Sequence, residues 1–375
     1  MGRSELGADV VIIGGGIVGC ASAYYLARRG LSVTLLEKST VGSEASGRNA
    51  GGVRAQCRDR RERLHAMASI EIWKTLEDEL GLDVEYVQGG NIRLATTEER
   101  MDALAREAEE ELADGLYVEL WDRAELRRRA PYLSDRFIGA KYCPTDGVAN
   151  PILASRAFGW AARRAGATLL EHTEAREVVV EGGRVTAVQA HGPEGEVRVR
   201  APWVIHAGGP WTPELAGTLD LNIPIRPQRA VMAVTEPVSP FFTEFVSSHD
   251  VRLYARPARS GHIHVGVHSE HDPTFDKRTP RQIVQHLARL DELIPALARV
   301  RILRTWAGTL AMTPDGIPVV GPVPGIQGYL LAAGFCGHGF CLGPIMGKLL
   351  SELVVDGRPS LSLDAFSPHR FHASS

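Results

Sequence analysis

The stretch ADVVIIGGGIVG, residues 8–19, decides how this chain is read. Four β-branched residues, 10–13, run straight into glycines, as a strand covered on both faces does. Residues 17–28 then carry apolar side chains at helical spacing. In Gly14-x-Gly16-x-x-Gly19 the first glycine permits a tight turn, the second lets a pyrophosphate approach the backbone, and the third lets helix and strand pack closely. The helix start meets phosphate charge with free N–H groups. Residues 32–36 read as the next strand, and Glu37 ends it where a carboxylate accepts hydrogen bonds from a ribose diol. Strand, helix, strand and acid together predict a dinucleotide site, and the acid would repel a 2′-phosphate.

Immediately after that acid comes SEASGRNAGGVR, residues 43–54, a loop of small residues with two arginines. Such a loop lets backbone come close to a flat or anionic ligand, and Arg48 and Arg54 offer fork-shaped donors for phosphate or carboxylate. Beyond it, Leu64, Met67, Ile70, Trp73, Leu76 and Leu80 form one apolar stripe of a long helix over residues 62–80, capped by Gly81. Short strands are expected at 84–87 and 91–95, helices at 98–112 and 151–165, and strands with glycine hairpins near 182–183 and 192–195. From 225 to 310 short strands surround one helix, 281–293, and the last 60 residues return to strand, glycine turn and helix.

Strands and helices therefore interleave. The expected fold is α/β with α+β elements: a discontinuous Rossmann-like nucleotide domain (1–86, 147–220, 314–375) with an inserted mixed β-sheet substrate domain (87–146, 221–313).

Composition narrows the function classes. With 375 residues, 44% apolar and 23% charged, the chain can bury a large core. A net charge of −3 without a basic stripe argues against nucleic acid or a lipid surface as partner. Five cysteines without C-x-x-C spacing indicate neither a disulfide framework nor zinc, and fit a reducing, cytoplasmic setting. Cys336 and Cys341 read as small buried thiols rather than a redox pair. His262, His264, His268 and His271 alternate along an expected strand and turn, a pattern that does not gather metal ligands, so no metal is expected. Glycines, His338 and Pro344 interrupt the apolar run at 329–347, so no membrane span is expected.

The closing segment AAGFCGHGF, residues 332–340, leads into a helix. Together with GGGIVG (14–19), Glu37-Lys38, SGRNAGGVR (46–54), PTDGVANP (144–151), VIHAGGPW (204–211) and RTWAGTLAMTPDGIPVVG (304–321), it makes the chain resemble the D-amino-acid oxidase/sarcosine oxidase superfamily of FAD enzymes over nearly its whole length. Within that superfamily it is most similar to the β subunits of hetero-oligomeric enzymes: dye-linked L-proline dehydrogenase, sarcosine oxidase, opine oxidase and hydrogen cyanide synthase.

The resemblance implies a glutathione-reductase-type FAD domain in which Gly14, Gly16, Ile17, Gly19 and Glu37 hold the ADP half of FAD, with Lys38 beside them. Ser46, Arg48, Asn49, Ala50 and Gly51 would line pyrophosphate and flavin, Val178 would meet the adenine through its backbone, and Ala207 and Gly208 would flank the nucleotide. Gly337, His338, Gly339 and Phe340 would present a helix N-terminus to the flavin pyrimidine edge, where the reduced ring carries negative charge. Relatives that bind flavin covalently use a Cys where this chain has Gly308, or a His near residues 147–152, where it has none. Non-covalent FAD is therefore expected.

Monomeric relatives bind the substrate carboxylate with a lysine where Cys341 stands, and activate oxygen with a lysine where His264 stands. The missing cations leave Arg54 as the expected carboxylate clamp, with Tyr254 or Arg256 sharing the load. The expected activity is dehydrogenation of a secondary amine or α-amino/imino acid by hydride transfer from Cα to flavin N5. It would take place in a complex with a larger α-type subunit and electron acceptor, the second flavin or iron–sulfur centre lying at or in that partner. The rival is a non-catalytic flavin-carrying subunit that relays electrons or assembles the complex; an NAD-linked dehydrogenase leaves residues 332–340 unexplained.

Overall fold

A computed structural model describes residues 4–267 and 273–371. His268 and His271 lie outside the described residues. The expected βαβ opening is present: strand Val10–Ile13, helix Ile17–Arg28 and strand Val33–Leu36. These two strands lie side by side in a six-stranded sheet whose order is Val319–Pro322, Tyr329–Ala333, Trp203–His206, Val10–Ile13, Val33–Leu36, Thr168–Leu170. Every pairing in it is parallel except that of the first two. Val10, Val11 and Ile12 are fully buried because helices cover one face and a four-stranded sheet packs against the other.

Helix packing sets the position of the site. Helix Gly339–Asp356 lies along helix Ile17–Arg28 with no room for side chains at two crossings. A Cβ on Gly343 would come 2.7 Å from Ile17 Cγ2, and one on Gly347 would come 2.5 Å from Ala21 Cβ. Both contacts advance by four residues along each chain, so the helices run parallel. Their N-termini open at the same end of the sheet, above the carboxyl ends of its parallel strands, where ligands of such sheets bind.

The second large sheet has eight strands in the order Ile302–Met312, Arg226–Pro237, His262–Val267, Leu253–Pro257, Phe245–Ser248, Asn91–Ala95, Gly139–Cys143, Glu119–Asp122. Only the pairing of Phe245–Ser248 with Asn91–Ala95 is parallel. The chain is thus mixed α/β, with a Rossmann-like unit beside a mixed sheet, as its sequence pattern predicts.

Three local expectations are corrected. Residues 84–87 are not a strand: Asp83 accepts the N–H of Glu85, whose φ is +54°, and only Val87 bridges to Val148. The single helix expected at 281–293 is two short ones, Ile283–Leu287 and Leu290–Leu293, neither with a side-chain cap. The long helix begins at Arg60, capped by Asp59. Its first turns bury Glu62, Arg63 and His65 while Leu64 is 56% exposed, so the apolar stripe holds only from Ile70 onward.

Candidate functional site

A cleft of about 1550 Å³, partly open to solvent, runs along the ends of the parallel strands. Gly14, Gly16, Ile17, Gly19, Glu37, Lys38, Ser46, Asn49, Ala207, Gly208, Gly337, Gly339 and Phe340 all border it. Each glycine of the opening motif has its own geometric reason. Gly14 has φ +106°, and its Cβ would lie 2.4 Å from Ala207 O; a Cβ on Gly19 would lie 2.0 Å from Gly14 O. Gly16 has no such backbone conflict: its Cβ would meet only the Ser46 side chain, the hydroxyl at 3.0 Å. The first and third glycines therefore serve the fold, and the second keeps the cleft floor free for a ligand.

Glu37 is 8% exposed and accepts hydrogen bonds from Gly15 N at 2.6 Å and Ser39 N at 2.7 Å. Burial raises its pKa against those N–H groups and Lys38. A carboxylate has about four acceptor positions, so room remains for a diol. Lys38 Nζ sits 3.3 Å from the centroid of the Trp211 ring, and burial lowers its pKa. At the other end, His338 heads helix Gly339–Asp356 without a side-chain cap, and the first residues of that helix, Gly339 and Phe340, border the cleft.

Five expected cofactor residues do not border the cleft. Arg48 donates to Ser43 O and Ala307 O and packs against Gly308, which ties its guanidinium to backbone. Ala50 O accepts from Arg256, and Gly51 turns with φ +75° beneath Ala149 O. Val178 is buried within the small sheet; the residues of its strand that border the cleft are Glu174, Ala175 and Arg176. The His338 ring turns away to place Nδ1 2.6 Å from Glu62 Oε1. Burial, reinforced by Arg58, pushes His338 down to about 4, so it is neutral at pH 7.

Past the start of helix Gly339–Asp356 lies a charged layer that the sequence pattern did not reveal. Arg54 O accepts from Cys341 Sγ at 3.4 Å, which places Arg54 beside the start of helix Gly339–Asp356. Burial pushes Arg54 down to about 9, and the like charges of Arg58 and Arg93 add to the shift. Among the described residues no carboxylate is ion-paired with it. Arg58 lies 3.9 Å from Glu62, which His338 and Arg58 hold below the usual carboxylate range although burial opposes them. Asp146 accepts from Ala55 N at 2.7 Å, and burial pushes it up to about 6. Arg58 and Arg63 are 4% and 3% exposed, while Arg60 and Arg61 stay exposed and pair with Asp114 and Asp59. The available signal was the density of charge at a helix start, which reads equally as a solvated surface.

The eight-stranded sheet carries Tyr254, Arg256 and His264, none of which borders the cleft. Tyr254 stacks on Phe245 at 5.5 Å, fills the space over Gly266 and donates to Met232 Sδ at 3.2 Å. Burial pushes its hydroxyl up to about 12, against the nearby Arg54. His264 stands edge-on to Trp306, and burial with Arg256 and His262 pushes it down to about 3, so no cation stands there. Arg256 is held by Ala50 O and Pro257 O. Tyr254 and Arg54 are thus brought together, while Arg256 serves the backbone.

The five cysteines are free thiols. Among the described residues no helix is long and apolar enough to cross a membrane, and no cluster of His, Cys, Asp or Glu is arranged to hold a metal.

Comparison with known proteins places this geometry. The FAD dependent oxidoreductase family profile matches residues 9–353. Glycine oxidase of Geobacillus kaustophilus is 31% identical over 369 residues, 96% of each chain. Sarcosine oxidase subunit beta of Rhizobium meliloti is 28% identical, over 97% of this chain and 88% of that one. The crystal structure of L-proline dehydrogenase from P. horikoshii superposes with a TM-score of 0.92 at 31% identity, covering 98% of both chains.

Proposed function

Because this chain belongs to the FAD dependent oxidoreductase family, an FAD-dependent oxidoreductase of amines or amino acids, we propose that it dehydrogenates a secondary amine or α-amino/imino acid whose carboxylate is held by Arg54. The observation that carries this reading is Arg54 itself, a guanidinium without a carboxylate partner among the described residues, set between a helix N-terminus and Tyr254.

The cleft fits FAD. In this reading Gly14, Gly16, Ile17 and Gly19 cradle the pyrophosphate, Glu37 takes the ribose hydroxyls, Lys38 stands beside them, and Ser46 and Asn49 line the loop side. Ala207 and Gly208 flank the nucleotide, and the backbone of Ala175 rather than Val178 meets the adenine. The N–H groups of Gly339 and Phe340 face the pyrimidine edge. Residues 1–86, 147–220 and 314–375 hold the cofactor, while 87–146 and 221–313 cover the substrate. Without a Cys or His anchor the cofactor is bound non-covalently.

FAD, when bound, supplies at N5 the acceptor for the hydride on the substrate's α carbon. Arg54 and Tyr254 orient that carbon by gripping the carboxylate, and the buried wall excludes water, so positioning supplies much of the rate. His338 and His264 are neutral at pH 7 and donate no charge. Bound as the free amine, the substrate needs no protein base.

The missing cation at His264 supports a dehydrogenase over an oxidase, in a hetero-oligomer as the catalytic β-type subunit, with a larger partner passing electrons onward. Five free thiols support a cytoplasmic setting. Anaerobic bleaching of the flavin spectrum by a panel of amino acids and secondary amines tests the central claim. No bleaching by any member would instead favour a flavin-carrying relay subunit. Rapid turnover of the lone chain with oxygen as sole acceptor would refute the dehydrogenase assignment.

A further inference from the structure

The eight-stranded sheet places Lys141, Arg93, Ser247, Tyr254, Gly266 and Met232 in one cross-strand row, each in register with the next. Residues in register on neighbouring strands share a face, so this row lies on the same wall as Tyr254. Its charges are not equally engaged. Lys141 is neutralised by Glu107 at 2.9 Å and Glu111 at 2.8 Å. Arg58 and Arg63, nearby, have Glu62 and Asp114.

Arg93 has no carboxylate partner among the described residues, although it is only 7% exposed. Its Nε is buried without a hydrogen bond, and its Nη1 lies 3.2 Å from Nε2 of His249. Burial and Arg93 itself press that ring down to about 4, so it is neutral at pH 7. Ser247, next in the row and 1% exposed, also leaves its hydroxyl oxygen without a partner. Asp146 does not make up the deficit: its oxygens go to Ala55 N and Asn91, and burial lifts it to about 6.

Arg54 and Arg93 are thus two guanidiniums, the second near enough to disfavour the charge of the first, and neither is ion-paired with a carboxylate among the described residues. A buried charge without a partner is costly, and one carboxylate gripped by the Arg54 fork leaves Arg93 unmatched. We propose that the substrate carries a second carboxylate, received by Arg93 and Ser247, while Arg54 and Tyr254 hold the one next to the reacting carbon. This rests on the amine-dehydrogenase reading above. Arg93 and Tyr254 lie two strands apart, about 10 Å at the backbone, a span that two long side chains shorten to that of a small dicarboxylic amine.

The test uses the FAD-loaded full chain and reads perturbation of flavin absorbance by unreactive acids. Glutarate should bind about 10- to 100-fold more tightly than butyrate, the worth of one charge-assisted contact. Arg93→Met should abolish that preference while leaving butyrate affinity and flavin content unchanged; Ser247→Ala should reduce it, and Arg54→Met should weaken both acids. The ratio of kcat/KM for iminodiacetate over sarcosine should follow the same pattern. Equal affinities for the two acids, or Arg93→Met weakening both alike, would overturn the second site even if monocarboxylic amines bleach the flavin. An Arg93-dependent preference for glutarate in a chain whose flavin no amine bleaches would support the second site and defeat the dehydrogenase reading instead.

Discussion

Replacing Arg54 with Met is the most direct trial of the carboxylate clamp. The side chain donates to Gln56 O at 3.1 Å but is ion-paired with no acid among the described residues, so its fork remains available to a ligand. A charge-assisted contact is worth about 1.5 to 3 kcal/mol, equivalent to about 10- to 150-fold in affinity. If the grip is the same in ground and transition states, the loss falls on KM with kcat little changed. Folding should not suffer, because removing one of three like charges relieves Arg58 and Arg93. Steady-state assays with a dye acceptor, beside flavin content and thermal melting, measure this. An unchanged KM for every carboxylate substrate would refute the assignment.

Other outcomes follow from the same geometry. Gly16→Val should fold yet purify depleted of flavin, since only the ligand side is obstructed, while Gly19→Ala should lower the melting temperature, its Cβ colliding with Gly14 O; equal behaviour in both would contradict the division of roles. Glu37→Ala should also lose flavin, and normal yellow protein would misplace the ribose site. Acid precipitation should release all flavin to the supernatant, so colour kept in the pellet would disprove non-covalent binding. His206 and His338 are held near 4 by burial, against 6.5 for the free side chain. The unfolded chain then binds more protons than the folded one below pH 6.5, so stability is full above that value and declines as pH falls toward 4. Urea midpoints should trace this slope, and His206→Gln should flatten it; a parallel slope in that variant would exclude His206 as a contributor.

Much of the cleft lining was legible because its signals are local. A glycine that must adopt φ +106° or sit against a carbonyl, as Gly14 and Gly19 do, is dictated within a few residues, and an acid at a strand end inherits its position from the strand. Where recognition depended on which way a side chain turned, the reading was weaker. Arg48 and His338 stand in the expected segments, yet one bonds to carbonyls from residue 43 and residue 307 and the other meets Glu62. Val178 shares its strand with cleft residues but lies beyond the cleft edge.

The βαβ opening and the dinucleotide chemistry could be read from residues 8–37, since they rest on backbone conformation and short-range periodicity, and the family from the resemblance of motifs along the chain. Which charges are already paired depends on the folded arrangement. Strand register sets Arg93 beside Ser247 and Tyr254, and the Gly343 and Gly347 crossings bring two helix starts to one cleft. Residues 58–63 look like a solvated basic run until the fold buries Arg58 beside Glu62 and Arg63 against Asp114, 51 residues away. Register and burial are properties of chain segments meeting one another, and no local pattern encodes them.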